Sequence, residues 1–162
     1  MKKHIITISG LLGSGKSSTA RKISERLNYK HYSAGEVMRQ LGKERGIDDI
    51  RAFNLSIENK QDFDFQVDER TKLIGETEEN VVFDGHMVGH FIPDSFRVFL
   101  SLDEVKAAER ILAGMTPERR DSEHVSDSPA EYALLLRERK DSNVRRYRDL
   151  YQVDPYLPEL YD

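Results

Sequence analysis

The sequence has no cysteine and no tryptophan, and only five of its 162 residues are proline. Without cysteine there can be no disulfides and no thiolate metal centres, which fits a reducing, cytoplasmic setting. Long apolar runs are missing too. No stretch approaches the roughly 20 residues that a membrane-crossing helix needs. In the opening MKKHIITISG, the apolar run IITI is too short for a signal peptide. Positive charge is not in excess: 25 lysines and arginines face 29 aspartates and glutamates, a formal net charge of −4. Nothing general draws such a chain to nucleic acid, so any cations that bind phosphate must be placed locally. The expectation is a cytoplasmic monomer with neither a nucleic-acid nor a membrane partner.

What the sequence does have is an alternation of short apolar runs with longer amphipathic ones, the pattern of an α/β fold with a parallel sheet covered by helices. His4–Ser9, rich in β-branched residues, is the first expected strand, and Tyr29–Ser33 a short second one. NVVFDG (80–85) is continuous and apolar, as a buried parallel strand should be, and SFRVFLSL (95–102) is the fourth. A helix is expected from Lys16, with Ala20, Ile23 and Leu27 at helical spacing. Residues 35–75 read as helical in two or three pieces, with breaks near 42–46 and near NKQD. A helix runs from Asp103 to about Ala113. The last one has the clearest start signal, with Ser128 as N-cap, Pro129 at the first helical position and Glu131 as capping-box partner, and it runs to about Tyr151. Between these two helices, 114–127 is polar and charged without an apolar face, either a solvated surface loop or a mobile lid. The chain reads as one compact domain, with a core of 1–33, 80–113 and 128–162, a helical excursion at 34–79 and the segment 114–127.

Gly10, Leu11, Leu12, Gly13, Ser14, Gly15, Lys16 and Ser17, followed by Ser18, satisfy the pattern G-x-x-x-x-G-K-[ST] between a strand and a helix. Glycines let backbone N–H groups turn inward around a phosphate, and the helix N-terminus adds partial positive charge. Lys16 can then reach the β- and γ-phosphates, while Ser17 offers its hydroxyl to Mg²⁺. The loop predicts a bound nucleoside triphosphate. It does not name the acceptor, because this kind of loop serves kinases, switches and motors alike. A GTPase needs N-K-x-D after a later strand, whereas NKQD here precedes the third. A motor or an AAA-type ATPase needs more chain.

Three further clusters bear on the acceptor. In SAGEVMR, Ser33 and Gly35 end the second strand, and Arg39 sits one turn into the next helix, where it can fork onto a monophosphate or stand solvated. Asp84 lies at the carboxyl end of a buried strand, where ligands sit in open α/β sheets. A carboxylate there orients waters on Mg²⁺, holds the acceptor, or caps a turn. Arg139, Asn143 and Arg146 share one helix face, which either converges on the transferring phosphoryl group or is solvated. His86 and His90 have H-x₃-H spacing, but no third ligand accompanies them.

In order and spacing, SAGEVMRQLGKERG, FDFQVDERT, VVFDGHMVGHF and RERKDSNVRRYRDLYQVD resemble the cytidylate kinases of the archaeal type. The resemblance covers nearly the whole chain. It implies a three-layer P-loop kinase fold and transfer of the ATP γ-phosphate to CMP or dCMP, with Mg²⁺ at Ser17 and Asp84. Ser33, Gly35 and Arg39 match the monophosphate-binding segment, and Asp68 and Arg70 the acceptor-side helices. Arg139 and Arg146 match the lid-helix arginines that act with Lys16. Three departures accompany the match. His86 stands where the family has an arginine, which makes a nearby cation titratable. Asn143 replaces an acidic residue between the lid arginines. The sequence stops at LPELYD, where relatives continue into another strand, so something else must cover the sheet edge or that strand is dispensable. An adenylate-kinase-like enzyme, suggested by SAGEVMR and by RRD at 119–121, and a non-catalytic nucleotide-binding regulator are the alternatives.

Overall fold

The computed structural model describes residues 4–46, 60–117 and 127–162. The expected lid, 114–127, therefore falls mostly outside the described residues, as does RRD at 119–121. The elements are β1 (Ile5–Gly10), α1 (Lys16–Leu27), β2 (Lys30–Ser33), α2 (Ala34–Glu44), α3 (Lys60–Thr77), β3 (Val81–Asp84), α4 (Val88–Phe91), β4 (Phe96–Leu100), α5 (Glu104–Ala113) and α6 (Pro129–Tyr151), with a 3₁₀ turn at Pro158–Leu160. All four strands are parallel, in the order β2-β3-β1-β4. The α/β sheet expected from the sequence is therefore present. The four-residue helix α4 was not foreseen, because MVGHF is too short to show a helical period.

Side-chain alternation along the strands builds the layers. Ile5, Val81 and Phe83 pack against Val37 and Leu41 of α2 and Phe63 and Val67 of α3. The intervening Ile6, Ile8 and Val82 face Ala20 and Ile23 of α1. With both faces covered, β3 is buried at every position, which explains why VVFD reads as a continuous apolar run. A third cluster joins Ala107, Ala108 and Leu112 of α5 to Tyr132, Ala133 and Leu136 of α6. Helix starts follow the capping rules. Asp103 accepts from the N–H groups of Val105 and Lys106 at 3.1 and 3.0 Å, and Ser128 from that of Glu131 at 3.4 Å.

The outer edge of β4 is partly covered. Asp162 donates its N–H to the Arg97 carbonyl at 2.9 Å, and its carboxylate accepts the Arg97 N–H at 2.8 Å. The Tyr161 ring lies on Phe99 with centroids 4.9 Å apart. Tyr161 and Asp162 thus cover part of the outer edge of β4.

Candidate active site

The parallel sheet brings the carboxyl ends of β1, β2 and β3 to one rim, and the glycine loop leaves β1 there. Gly10 has φ 151°, and a Cβ on it would run into the Leu100 carbonyl oxygen, so β1 and β4 approach this closely only with glycine. Gly13 (φ 75°) packs on Ala107 of α5, and Gly15 (φ 90°) caps α1 in the left-handed region. Leu12 packs into the α5–α6 cluster, which anchors the loop from behind. Lys16 folds back over the loop and donates to the carbonyls of Gly10 and Leu11 at 3.1 and 2.9 Å. Burial lowers its pKa to about 8, against the opposing pull of Asp84.

Asp84 joins the loop to the opposite rim. One carboxylate oxygen accepts from Ser17 Oγ at 2.7 Å and Ser33 Oγ at 3.3 Å, and the other meets His31 Nε2 at 2.6 Å. Three elements, α1, β2 and β3, therefore fix one buried carboxylate. Ser17 and Asp84 offer only oxygen ligands beside a lysine, a donor set that suits a hard cation such as Mg²⁺. The residues present fit that ion.

A cavity of about 380 Å³ opens from this rim. Lys16, Ser17 and Arg21 line it on the α1 side, and Ser33, Gly35 and Arg39 on the β2–α2 side. Asp64, Val67 and Asp68 of α3 form a further wall, closed by Arg146 and Tyr147 of α6. Arg39 is exposed, and among the described residues its ion pair is a long one, 4.0 Å from Glu36. Asp68 accepts from the Tyr151 hydroxyl, and burial, which outweighs that bond, pushes its carboxyl up to about 6. Arg146 lies 3.6 Å from Asp64, donates to the Tyr147 hydroxyl at 2.8 Å and stacks on that ring.

Of the other expected residues, His86 also lines the cavity, whereas Arg70, Arg139 and Asn143 do not. Arg70 pairs with Glu44 at 3.5 Å outside the cavity. Two residues apart on a helix point to nearly opposite sides, so Asp68 and Arg70 cannot both face one site. Arg139 is exposed and also outside the cavity, since it lies about 10 Å along α6 from Arg146. Asn143 donates to the Tyr156 hydroxyl at 3.1 Å, which in turn is 3.3 Å from His86 Nδ1. The two departures at 86 and 143 thus meet through one tyrosine. Burial, with the charges of Lys16, Arg146 and Arg139 adding to it, lowers the His86 pKa to about 3. A titratable cation at 86 was expected; the surroundings instead keep this imidazole neutral.

Sequence reasoning missed His31, Asp64, Tyr147 and Tyr156. For His31 a signal existed: it stands two residues before Ser33, and the period of a strand puts both on one side. The others come together only through the packing of α3, α6 and residues 152–156.

A family described as an AAA domain matches residues 9–126. The chain is 33% identical over 158 residues to a cytidylate kinase from Methanothermobacter thermautotrophicus, covering 98% of this chain and 91% of that protein. It is 32% identical over 159 residues to a cytidylate kinase from Pyrococcus furiosus, covering 98% and 77%. A shikimate kinase structure from Bacteroides thetaiotaomicron superposes with a TM-score of 0.57 at 15% identity, covering 93% of this chain and 99% of that one, a likeness of fold. The AAA description attaches to a stretch that begins just before the phosphate loop, while the kinases match nearly end to end. The chain belongs to the archaeal-type cytidylate kinases, within the P-loop nucleoside monophosphate kinases.

Proposed function

We propose that this protein transfers the γ-phosphate of ATP to CMP or dCMP. The observation that carries the reading is the position of Asp84, which binds the loop serine Ser17 and the acceptor-side residues Ser33 and His31 on the rim of one cavity. Donor and acceptor sides are therefore one continuous site, as in-line transfer requires. The loop amides and Lys16 cradle the donor phosphates. Mg²⁺, held from Ser17 and Asp84, would neutralise phosphate charge. Ser33, Gly35 and Arg39 receive the acceptor monophosphate, with Arg39 able to fork onto two of its oxygens. Arg146 supplies a second fixed cation from α6, and Arg139 reaches the site only if α6 or its neighbours move. In this scheme 34–79 is the acceptor region, 114–127 the lid and the remainder the core. A coupled assay with Mg–ATP and CMP, dCMP, UMP, AMP and GMP tests it. Transfer to CMP or dCMP above the others is the expected result, and transfer to none of them overturns the kinase reading for this chain.

A further inference from the structure

His86 and Asn143 meet through Tyr156, and the three side chains form a relay that decides which hydrogen the cavity is offered. We propose that Asn143 and Tyr156 are positioning residues that hold His86 as its Nε2–H tautomer, so that a neutral imidazole offers a hydrogen to an anionic oxygen of the acceptor. Assigning that oxygen to a monophosphate rests on the acceptor reading of the cavity given above.

The direction of the relay follows from counting hydrogens. The Asn143 amide –NH₂ donates to the Tyr156 hydroxyl oxygen at 3.1 Å, and that oxygen lies 3.3 Å from His86 Nδ1. A phenol carries one hydrogen. Burial pushes the Tyr156 hydroxyl up to about 12, so the hydrogen stays on it at neutral pH. With Asn143 donating into the oxygen, the hydroxyl's own hydrogen turns to His86 Nδ1. Burial, and after it the charges of Lys16, Arg146 and Arg139, disfavour a second proton on the ring. A neutral imidazole has one donor nitrogen and one acceptor. Nδ1 is the acceptor, and the ring hydrogen is therefore on Nε2.

The relay is fixed at both ends. Asn143 projects from α6, and residues 152–156 are tied back to that helix. The Tyr156 N–H donates to Asp154 Oδ1 at 3.0 Å, and Asp154 Oδ2 accepts from Arg148 at 2.9 Å. The His86 and Tyr156 rings meet at 70° with centroids 6.0 Å apart. The two nitrogens of an imidazole point nearly opposite ways, so Nε2 is turned away from Tyr156. His86 lines the cavity together with Lys16 and Arg146, and a neutral donor suits that place. It adds no charge for the two cations to repel, and a hydrogen bond to an anionic oxygen is stronger than one between neutral groups. The opposite tautomer would aim a bare lone pair at the same oxygen. An aspartate at 143 would produce that tautomer, because a carboxylate only accepts. It would draw the Tyr156 hydrogen to itself and leave the phenol to accept from Nδ1–H.

NMR of nitrogen-labelled imidazoles at about pH 8, above an ordinary histidine titration, reads the tautomer, since a protonated ring nitrogen and a bare one resonate far apart. His86→Gln identifies the His86 signals among those of five histidines. Wild type should carry its hydrogen on Nε2, and CMP should shift that Nε2 signal where ATP alone does not. Asn143→Asp should move the hydrogen to Nδ1 and raise KM for CMP at least about tenfold, with KM for ATP nearly unchanged. In a His86→Gln background, which has no tautomer to reverse, Asn143→Asp should raise KM for CMP clearly less, and this separates the relay from the added charge. A hydrogen on Nδ1 in wild type overturns the proposal, as does Asn143→Asp retaining Nε2–H or raising KM equally in both backgrounds. The wild-type spectra with and without CMP decide the matter even if the variants do not fold, and an Nε2 signal that ignores CMP overturns it. Transfer to no monophosphate overturns the acceptor reading and with it the oxygen given to Nε2–H, whereas transfer to CMP with the hydrogen on Nδ1 overturns this inference alone.

Discussion

Replacing Lys16 by methionine should stabilise the nucleotide-free protein while removing ATP binding. Lys16 is held at about 8 instead of 10.5, a displacement that corresponds to about 3 kcal/mol of unfavourable burial at neutral pH. Losing its two bonds to the Gly10 and Leu11 carbonyls offsets about 1–2 kcal/mol of that relief. A net gain of about 1–2 kcal/mol remains, or roughly 2–6 °C in Tm for a chain of this length. The pH dependence gives a second signature. An unfolded lysine keeps its proton to about 10.4, the folded one only to about 8, so the unfolded state binds more protons between those values. Wild-type stability should therefore rise with pH through that window, and the advantage of Lys16→Met should shrink there. Denaturant unfolding of both proteins at pH 7 and pH 10, with ATP titrations alongside, measures each part. A variant less stable than wild type at pH 7, or an advantage that does not narrow with pH, would refute the account of a strained, buried cation.

Three further outcomes follow from the site. Arg39→Ala should weaken monophosphate binding by at least about tenfold and leave ATP nearly unchanged, because its guanidinium lines the acceptor side only; calorimetric titration of each nucleotide separates them. With the His86 pKa near 3, acceptor affinity should show no histidine step between pH 6 and pH 8.5. His86→Arg should lower stability by about 1–3 kcal/mol, since it adds a fixed charge beside Lys16, Arg146 and Arg139 and cuts the Tyr156 contact, and thermal unfolding reads this directly. Gly10→Ala should destabilise by about 3 kcal/mol or more, because the new methyl meets the main-chain oxygen of Leu100, which has no rotamer to yield; loss of soluble protein or a sharply lower Tm is the expected finding.

The parts of this molecule that were legible in the sequence are those whose determinants are contiguous. The glycine loop is one unbroken motif between a strand and a helix, and β3 opens with an unbroken apolar run because both faces of the sheet are covered. The starts of α5 and α6 were legible because a capping side chain acts within three residues of itself. Asp84 was recognisable as important from its place at a strand end, and the resemblance put it with Ser17, but its partner His31 was not legible, since it reaches Asp84 from 53 residues away. Arg70 and Arg139 illustrate the converse. Each sits in a matching segment, yet helical geometry turns one outward and carries the other a full two turns beyond the cavity.

The short stretch at Tyr161 and Asp162 has a consequence for the outer rim of the sheet. The outer rim of a sheet is a template for any second chain, and here Phe96, 59% exposed, stands next to the covered position at Arg97. The Arg97 N–H is taken by a carboxylate, beside one main-chain bond from the Asp162 N–H to the Arg97 carbonyl. The Arg97 N–H holds the Asp162 carboxyl below its usual range, with the guanidinium adding to it, so the latch is closed at neutral pH and opens as pH falls through that lowered value. Acidification should therefore uncover a sticky rim before it melts the core, and self-association seeded at β4 should precede loss of helical signal in an acid titration followed by light scattering.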